Sequence, residues 1–179
     1  MRLAILILFF VLCLSKSLKA EEGRFITIPS DLRKEAYVVP ASNPVKDADL
    51  DSYYPHHHRW TPTASQCSEA DLAIKQWVDD EFRGERLSRT YRSKGSQTGE
   101  ETAIEMIHRC YSEYSCQFIG IAANGEKLIF ANYYLFEDGS HEGAKNFIFI
   151  EDGGPLSWQI QYDMNHKTCS LVLIASYYR

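Results

Sequence analysis

Residues 115–136 read SCQFIGIAANGEKLIFANYYLF, and the fold class follows from this stretch. Residues 115–123 and 126–136 are two runs dense in aromatic and aliphatic side chains. Between them stands Asn124-Gly125, the strongest short hairpin signal, because both residues tolerate the positive φ of a type I′ turn. The hairpin continues into a meander. Glu137-Asp138-Gly139-Ser140 turns the chain, and residues 145–150 form a short run apolar on both faces, which predicts a central strand. Asp152-Gly153-Gly154-Pro155 breaks that run. Trp158, Ile160 and Tyr162 then alternate with Ser157, Gln159, Gln161 and Asp163, the pattern of a half-buried strand. A turn over residues 163–167 leads to a last strand over 168–177.

Upstream of the hairpin the period changes from two to 3.6. Ala70, Ala73, Ile74, Trp77, Val78 and Phe82 share one helical face, and Lys75, Asp79, Asp80 and Arg83 the other. The spacing predicts a helix over residues 68–83, capped by Ser68 and Asp71 and stopped by Gly84. A second capping pattern, Thr98-Gly99-Glu100-Glu101, precedes Ala103, Ile104, Ile107 and Tyr111, which fall on one helical face. Alternation through Thr102, Ile104 and Met106 also permits a strand there. Helix first, then at least five antiparallel strands, predicts a mainly β, α+β fold with one curved sheet.

Residues 21–66 read differently. They hold five of the six prolines and an acidic middle, so regular structure should be sparse and the segment is expected to form an extended arm. Phe25, Ile26, Ile28, Tyr37, Val38 and Val39 are placed against the domain as short edge strands, and Tyr53-Tyr54-Pro55 as a similar docking point. The compact domain is expected over residues 67–179.

Residues 1–20 read as a secretory signal peptide: Arg2 at the start, an apolar run over 3–14 and small Ala20 at the cleavage point. The run is shorter than the roughly 20 apolar residues of a membrane span. The mature chain is therefore expected to be secreted, extracellular and monomeric, with no membrane association. Removal of 20 residues from 179 leaves 159, and loss of the cations Arg2, Lys16 and Lys19 takes the formal charge from −5 to −8. That sign argues against nucleic acid as a partner. Cys13 leaves with the signal, so the mature chain carries four cysteines, Cys67, Cys110, Cys116 and Cys169. An even count in an exported chain reads as two disulfides with three possible pairings. Cys110–Cys116 would close a short loop, and Cys67–Cys169 a long one that constrains the unfolded chain most.

His56-His57-His58 lies in the proline-rich arm. Consecutive side chains converge poorly on one ion, so these histidines read as solvated loop residues and no metal or cofactor is expected. No G-x-S-x-G elbow, H-E-x-x-H helix or cysteine-protease signature is present, and no enzymatic activity is expected. The aromatic residues point elsewhere. Tyr134, Phe136, Phe149, Trp158 and Tyr162, with Tyr133 and Phe147, crowd onto adjacent predicted strands, and Trp77 stands on the helix. On a curled sheet such rings line a small-ligand cavity for a hydrophobic or amine-type molecule. The same rings would equally fill a core against the Trp77 helix.

Several short segments are similar to a known family. Residues 71–77 (DLAIKQW), 86–92 (RLSRTYR), 114–120 (YSCQFIG), 158–163 (WQIQYD) and 167–172 (KTCSLV) resemble, in order, motifs of the tick salivary lipocalins, which include the histamine-binding proteins. The resemblance implies a lipocalin-like barrel, a first strand at residues 86–92 and a secreted salivary scavenger of small host mediators. Ser170 follows Cys169 where the amine-binding members carry an acidic residue. The rival reading is a cystatin-like or NTF2-like helix on a sheet that binds or inhibits a secreted protein, although the cystatin Q-x-V-x-G is absent.

Overall fold

The computed structural model describes residues 26–28, 30–33, 35–43, 50, 53–84, 103–135, 147 and 154–174. They build one seven-stranded sheet with a long helix across one side. In chain order the elements are β1 (Ile26–Thr27), β2 (Ala36–Val39), β3 (His58–Trp60), helix α1 (Ala64–Gly84), helix α2 (Ala103–Arg109), a 3₁₀ turn (Tyr111–Glu113), β4 (Ser115–Ala123), β5 (Glu126–Tyr134), a second 3₁₀ turn (Gly154–Leu156), β6 (Ser157–Asp163) and β7 (Thr168–Ile174).

The hairpin predicted at Asn124-Gly125 is present, with positive φ at both residues and an unbroken register from Ser115 opposite Tyr134 to Ala123 opposite Glu126. Strands β5, β6 and β7 then pair antiparallel with their neighbours. Residues 86–92, 98–101 and 145–146 and 148–150, where a strand, a cap and part of a strand were expected, lie outside the described residues. In the described sheet β6 is the direct neighbour of β5.

The second edge of β4 is shared. Strand β2 runs parallel to residues 116–119, and β3 runs antiparallel to residues 120–122. The sheet is thus mixed rather than wholly antiparallel. Residues 36–39 form an interior strand between β1 and β4 instead of the expected edge. All four of its residues are buried, the mark of a strand covered on both faces. Gly120 makes the β3 contact possible: a Cβ there would lie 2.4 Å from the Trp60 carbonyl oxygen and 2.6 Å from its indole. The order β1-β2-β4-β5-β6-β7 is open, and no described pairing joins its edges, so these strands do not close the expected lipocalin-like barrel.

Helix α1 starts one turn earlier than the sequence pattern placed it. Thr63 is the cap: the Gln66 amide donates to Thr63 Oγ1 at 3.3 Å, and the Thr63 amide donates to Gln66 Oε1 at 2.9 Å. This is the reciprocal capping box, in which each side chain satisfies an amide that lacks a helical partner. Asp71 therefore does not cap the helix. It sits inside it, on the buried stripe of Cys67, Ala70, Asp71, Ile74 and Val78. That stripe packs on Phe118, Ile129, Ala131, Tyr133, Trp158, Ile160 and Tyr162 of the sheet. Burying Ile74 or Val78 stabilises the fold by roughly 1.5–3 kcal/mol each. Residues 103–109 are helical rather than extended, with Ile104 and Ile107 turned into the same core. The His108 ring stacks on Phe82 at 4.1 Å and joins α2 to the C-terminal half of α1.

The other face of the sheet carries a second core of Tyr37, Val39, Ile119, Ile121, Leu128 and Phe130, covered in part by Leu50 and Tyr54. Among the described residues no helix is long and apolar enough to cross a membrane.

Candidate functional site

The residues proposed to line a cavity divide between the two faces. On the helix side, Trp158 stacks flat on Tyr133 at 4.1 Å and meets Tyr114 edge-on at 6.1 Å. Tyr162 lies on the same face and reaches past the sheet, its hydroxyl donating to Glu69 Oε1 of α1 at 2.7 Å. Trp77 is half-buried against this core. Tyr134 follows Tyr133 on β5 and so points the other way, as alternation requires. Phe136 and Phe149 lie outside the described residues. Phe147 packs against the second core. Among the described residues, α1 packs over the rings on the helix side and fills that part of the face.

At the centre of that filled space is a charged cluster the sequence pattern did not single out. The Arg33 guanidinium, from the segment between β1 and β2, pairs with Asp71 of α1. Its Nε donates to Asp71 Oδ2 at 2.8 Å, and its Nη2 donates to Oδ1. Arg33 Nη1 donates to the Tyr114 carbonyl at 3.2 Å. The guanidinium lies 4.7 Å and 4.5 Å from the Tyr111 and Tyr133 ring centres, a distance at which the ring quadrupole attracts a cation. Both phenols donate to Asp71 Oδ1, Tyr111 at 2.9 Å and Tyr133 at 3.1 Å. Ser30 Oγ donates to Oδ2 at 3.3 Å. The Arg33 and Asp71 side chains are 0% and 3% exposed.

This arrangement fixes protonation rather than supplying reactive groups. Burial by itself would lower the Arg33 pKa, but the hydrogen-bonded Asp71 carboxylate helps hold it above the ordinary arginine value. Burial pushes the Tyr111 and Tyr133 phenols well above theirs. Cys67 is pushed up to about 12, by burial first and then by Asp71, and burial alone takes Cys169 to about 12. At neutral pH these groups are a cation, neutral phenols and thiols, whereas nucleophilic catalysis by cysteine needs the thiolate. No disulfide joins Cys67, Cys110, Cys116 or Cys169 in the structure.

Two other polar groupings stand on the sheet. On the second face Gln117, Asn132 and Gln159 line up across β4, β5 and β6 and are buried. Asn132 Nδ2 donates to Gln117 Oε1 at 3.3 Å and Gln159 Nε2 to Asn132 Oδ1 at 3.4 Å. Beside this ladder the Tyr54 hydroxyl donates to Gln161 Oε1. At the hairpin end, ligand atoms of Glu126, Asp163 and His166 lie within 4.8 Å of one another. Here Asp163 Oδ1 accepts the Asn165 and His166 amides, and Oδ2 contacts His166 Nδ1 at 2.6 Å. The carboxylate and imidazole thus satisfy each other on the surface. The His56-His57-His58 run crosses from a turn with positive φ at His56 into the start of β3, and His57 Nδ1 lies 2.9 Å from the Tyr54 carbonyl oxygen.

Comparison with protein-family models, with curated proteins and with solved structures finds no match to this chain.

Proposed function

We propose that this chain is an exported, non-enzymatic interaction protein. It recognises another macromolecule through its outer surface, in the helix-on-sheet manner of cystatin-like and NTF2-like proteins, rather than holding a small molecule inside. The observation that carries this reading is the packing of the helix-side face among the described residues: α1 covers the sheet, and Trp158 and Tyr162 are spent on packing and on Glu69. A small-ligand scavenger needs a concave, largely preformed cavity. What α1 leaves outside is the apolar Leu72, 62% exposed, and the Phe82–His108 stack. Aromatic anchors of this kind contribute most of the energy of many protein interfaces. The mature net charge of −8 favours a partner with a basic face.

Native mass spectrometry and thermal unfolding of the secreted protein test this reading. Across a panel of amines, fatty acids and sterols, the protein is expected to keep its apo mass and its melting temperature. A stoichiometric small-molecule adduct that raises the melting temperature would restore the scavenger reading and remove this one.

A further inference from the structure

We propose that Glu126, Asp163 and His166 form a binding site for a divalent transition-metal ion of the zinc class. The three side chains come from two neighbouring hairpins. Glu126 opens β5 directly after the Asn124-Gly125 turn, and Asp163 and His166 belong to the turn between β6 and β7. The sheet brings these turns together: Leu128 of β5 stands opposite Asp163, and the Met164 amide donates to the Lys127 carbonyl at 3.0 Å. One ligand atom from each side chain then lies within 4.8 Å of the other two.

Donors bound to one zinc ion at roughly 2.0–2.2 Å stand about 3.4 Å apart in a tetrahedral shell. Asp163 Oδ2 and His166 Nδ1, 2.6 Å apart, are already within that spacing. Glu126 is exposed, so its side chain is free to rotate inward. The Asn165 and His166 amides occupy Asp163 Oδ1, which leaves Oδ2 for the ion. An ion between Oδ2 and Nδ1 takes the place of the proton they share. That proton leaves to solvent, and the imidazole ligates as the neutral base. The two carboxylates have no other cation. Lys127 turns its ammonium over the Trp60 ring at 3.9 Å, and Lys167 turns its own to Glu69. Among the described residues no lysine or arginine pairs with Glu126 or Asp163. An imidazole in the set separates it from the oxygen-only sites that suit calcium and magnesium. Three protein donors leave a fourth position for water or for a donor from a partner. The His56-His57-His58 run, the more conspicuous metal motif of the sequence, is not part of this grouping. The site stands independently of the surface-recognition reading.

The purified chain, without an affinity tag, stripped of metal with EDTA and kept reduced, is titrated with zinc chloride by calorimetry. Uptake of one ion per chain is expected, with shifts of the His166 ring and Asn165 amide signals in NMR spectra. Calcium at the same concentration should not displace it. Glu126→Gln, Asp163→Asn and His166→Gln should each weaken binding by about tenfold or more. Replacement of all three of His56, His57 and His58 by glutamine should leave it unchanged. Glu126 and His166 are exposed, so their variants keep the fold and report binding alone. No uptake by the intact chain, equal competition by calcium, unchanged affinity in the Glu126 and His166 variants, or loss of binding with the histidine run would each overturn the proposal.

Discussion

Replacement of Asp71 by alanine removes the hub of the buried cluster and leaves its partners in place. The Arg33 guanidinium loses two of its three hydrogen bonds to the described residues, and the Tyr111 and Tyr133 hydroxyls each lose an acceptor. With both ionic side chains almost wholly buried, solvent cannot re-solvate the stranded cation. Removing one member of such a pair costs about 3–5 kcal/mol, against a total stability of about 5–15 kcal/mol for a domain of this kind. Asp71→Ala should thus consume about a fifth or more of the folding free energy, read as a fall in the urea midpoint at constant slope. Replacing both partners by apolar residues of similar shape, Arg33→Met with Asp71→Leu, removes the uncompensated charge. That double variant should be more stable than Asp71→Ala by about 2 kcal/mol or more. Retention of the wild-type midpoint by Asp71→Ala within about 1 kcal/mol, or simple additivity of the Arg33 and Asp71 substitutions, would show that the cluster is not a coupled unit and refute the reasoning.

Two further outcomes follow from local geometry. Gly120→Ala drives a methyl group into the Trp60 backbone and ring. It should destabilise the protein by about 1–3 kcal/mol; a neutral result in chemical denaturation would mean that β3 is not seated on β4 as described. His166 beside Asp163 titrates above its ordinary value, chiefly through the hydrogen bond to Asp163, while Asp163 is lowered by the same bond. The imidazolium's contribution is complete below the unfolded histidine value, near 6.5, and fades as pH rises through the raised folded value. The carboxylate's contribution is complete above the unfolded aspartate value and fades as pH falls through the lowered folded one. In an NMR titration the His166 midpoint should fall on Asp163→Asn substitution, and an unmoved midpoint would separate the two groups.

Local chemistry carried far in this chain. The Asn124-Gly125 hairpin, the alternation in residues 157–163 and the 3.6-residue stripe of α1 were legible because each depends on neighbours within a few positions. The capping box at Thr63 and Gln66 was equally local, although Ser68 offered a competing cap of the same chemistry. One signal of the charged cluster was also present: Asp71 falls on the buried stripe, and an acidic residue there demands a cation. Which cation was not readable, since Arg33 stands 38 positions away and nothing in residues 30–33 marks them as interior.

The sequence by itself determined the helix, the hairpin meander and the α+β class, because periodicity and turn chemistry are properties of short segments. Only the tertiary structure decided that β2 joins the sheet in parallel and inside it, that α1 packs on the face that carries Tyr133, Trp158 and Tyr162, and that Arg33 closes on Asp71. Those outcomes depend on which buried surfaces and charges meet across distant parts of the chain, and a one-dimensional pattern carries no record of that pairing.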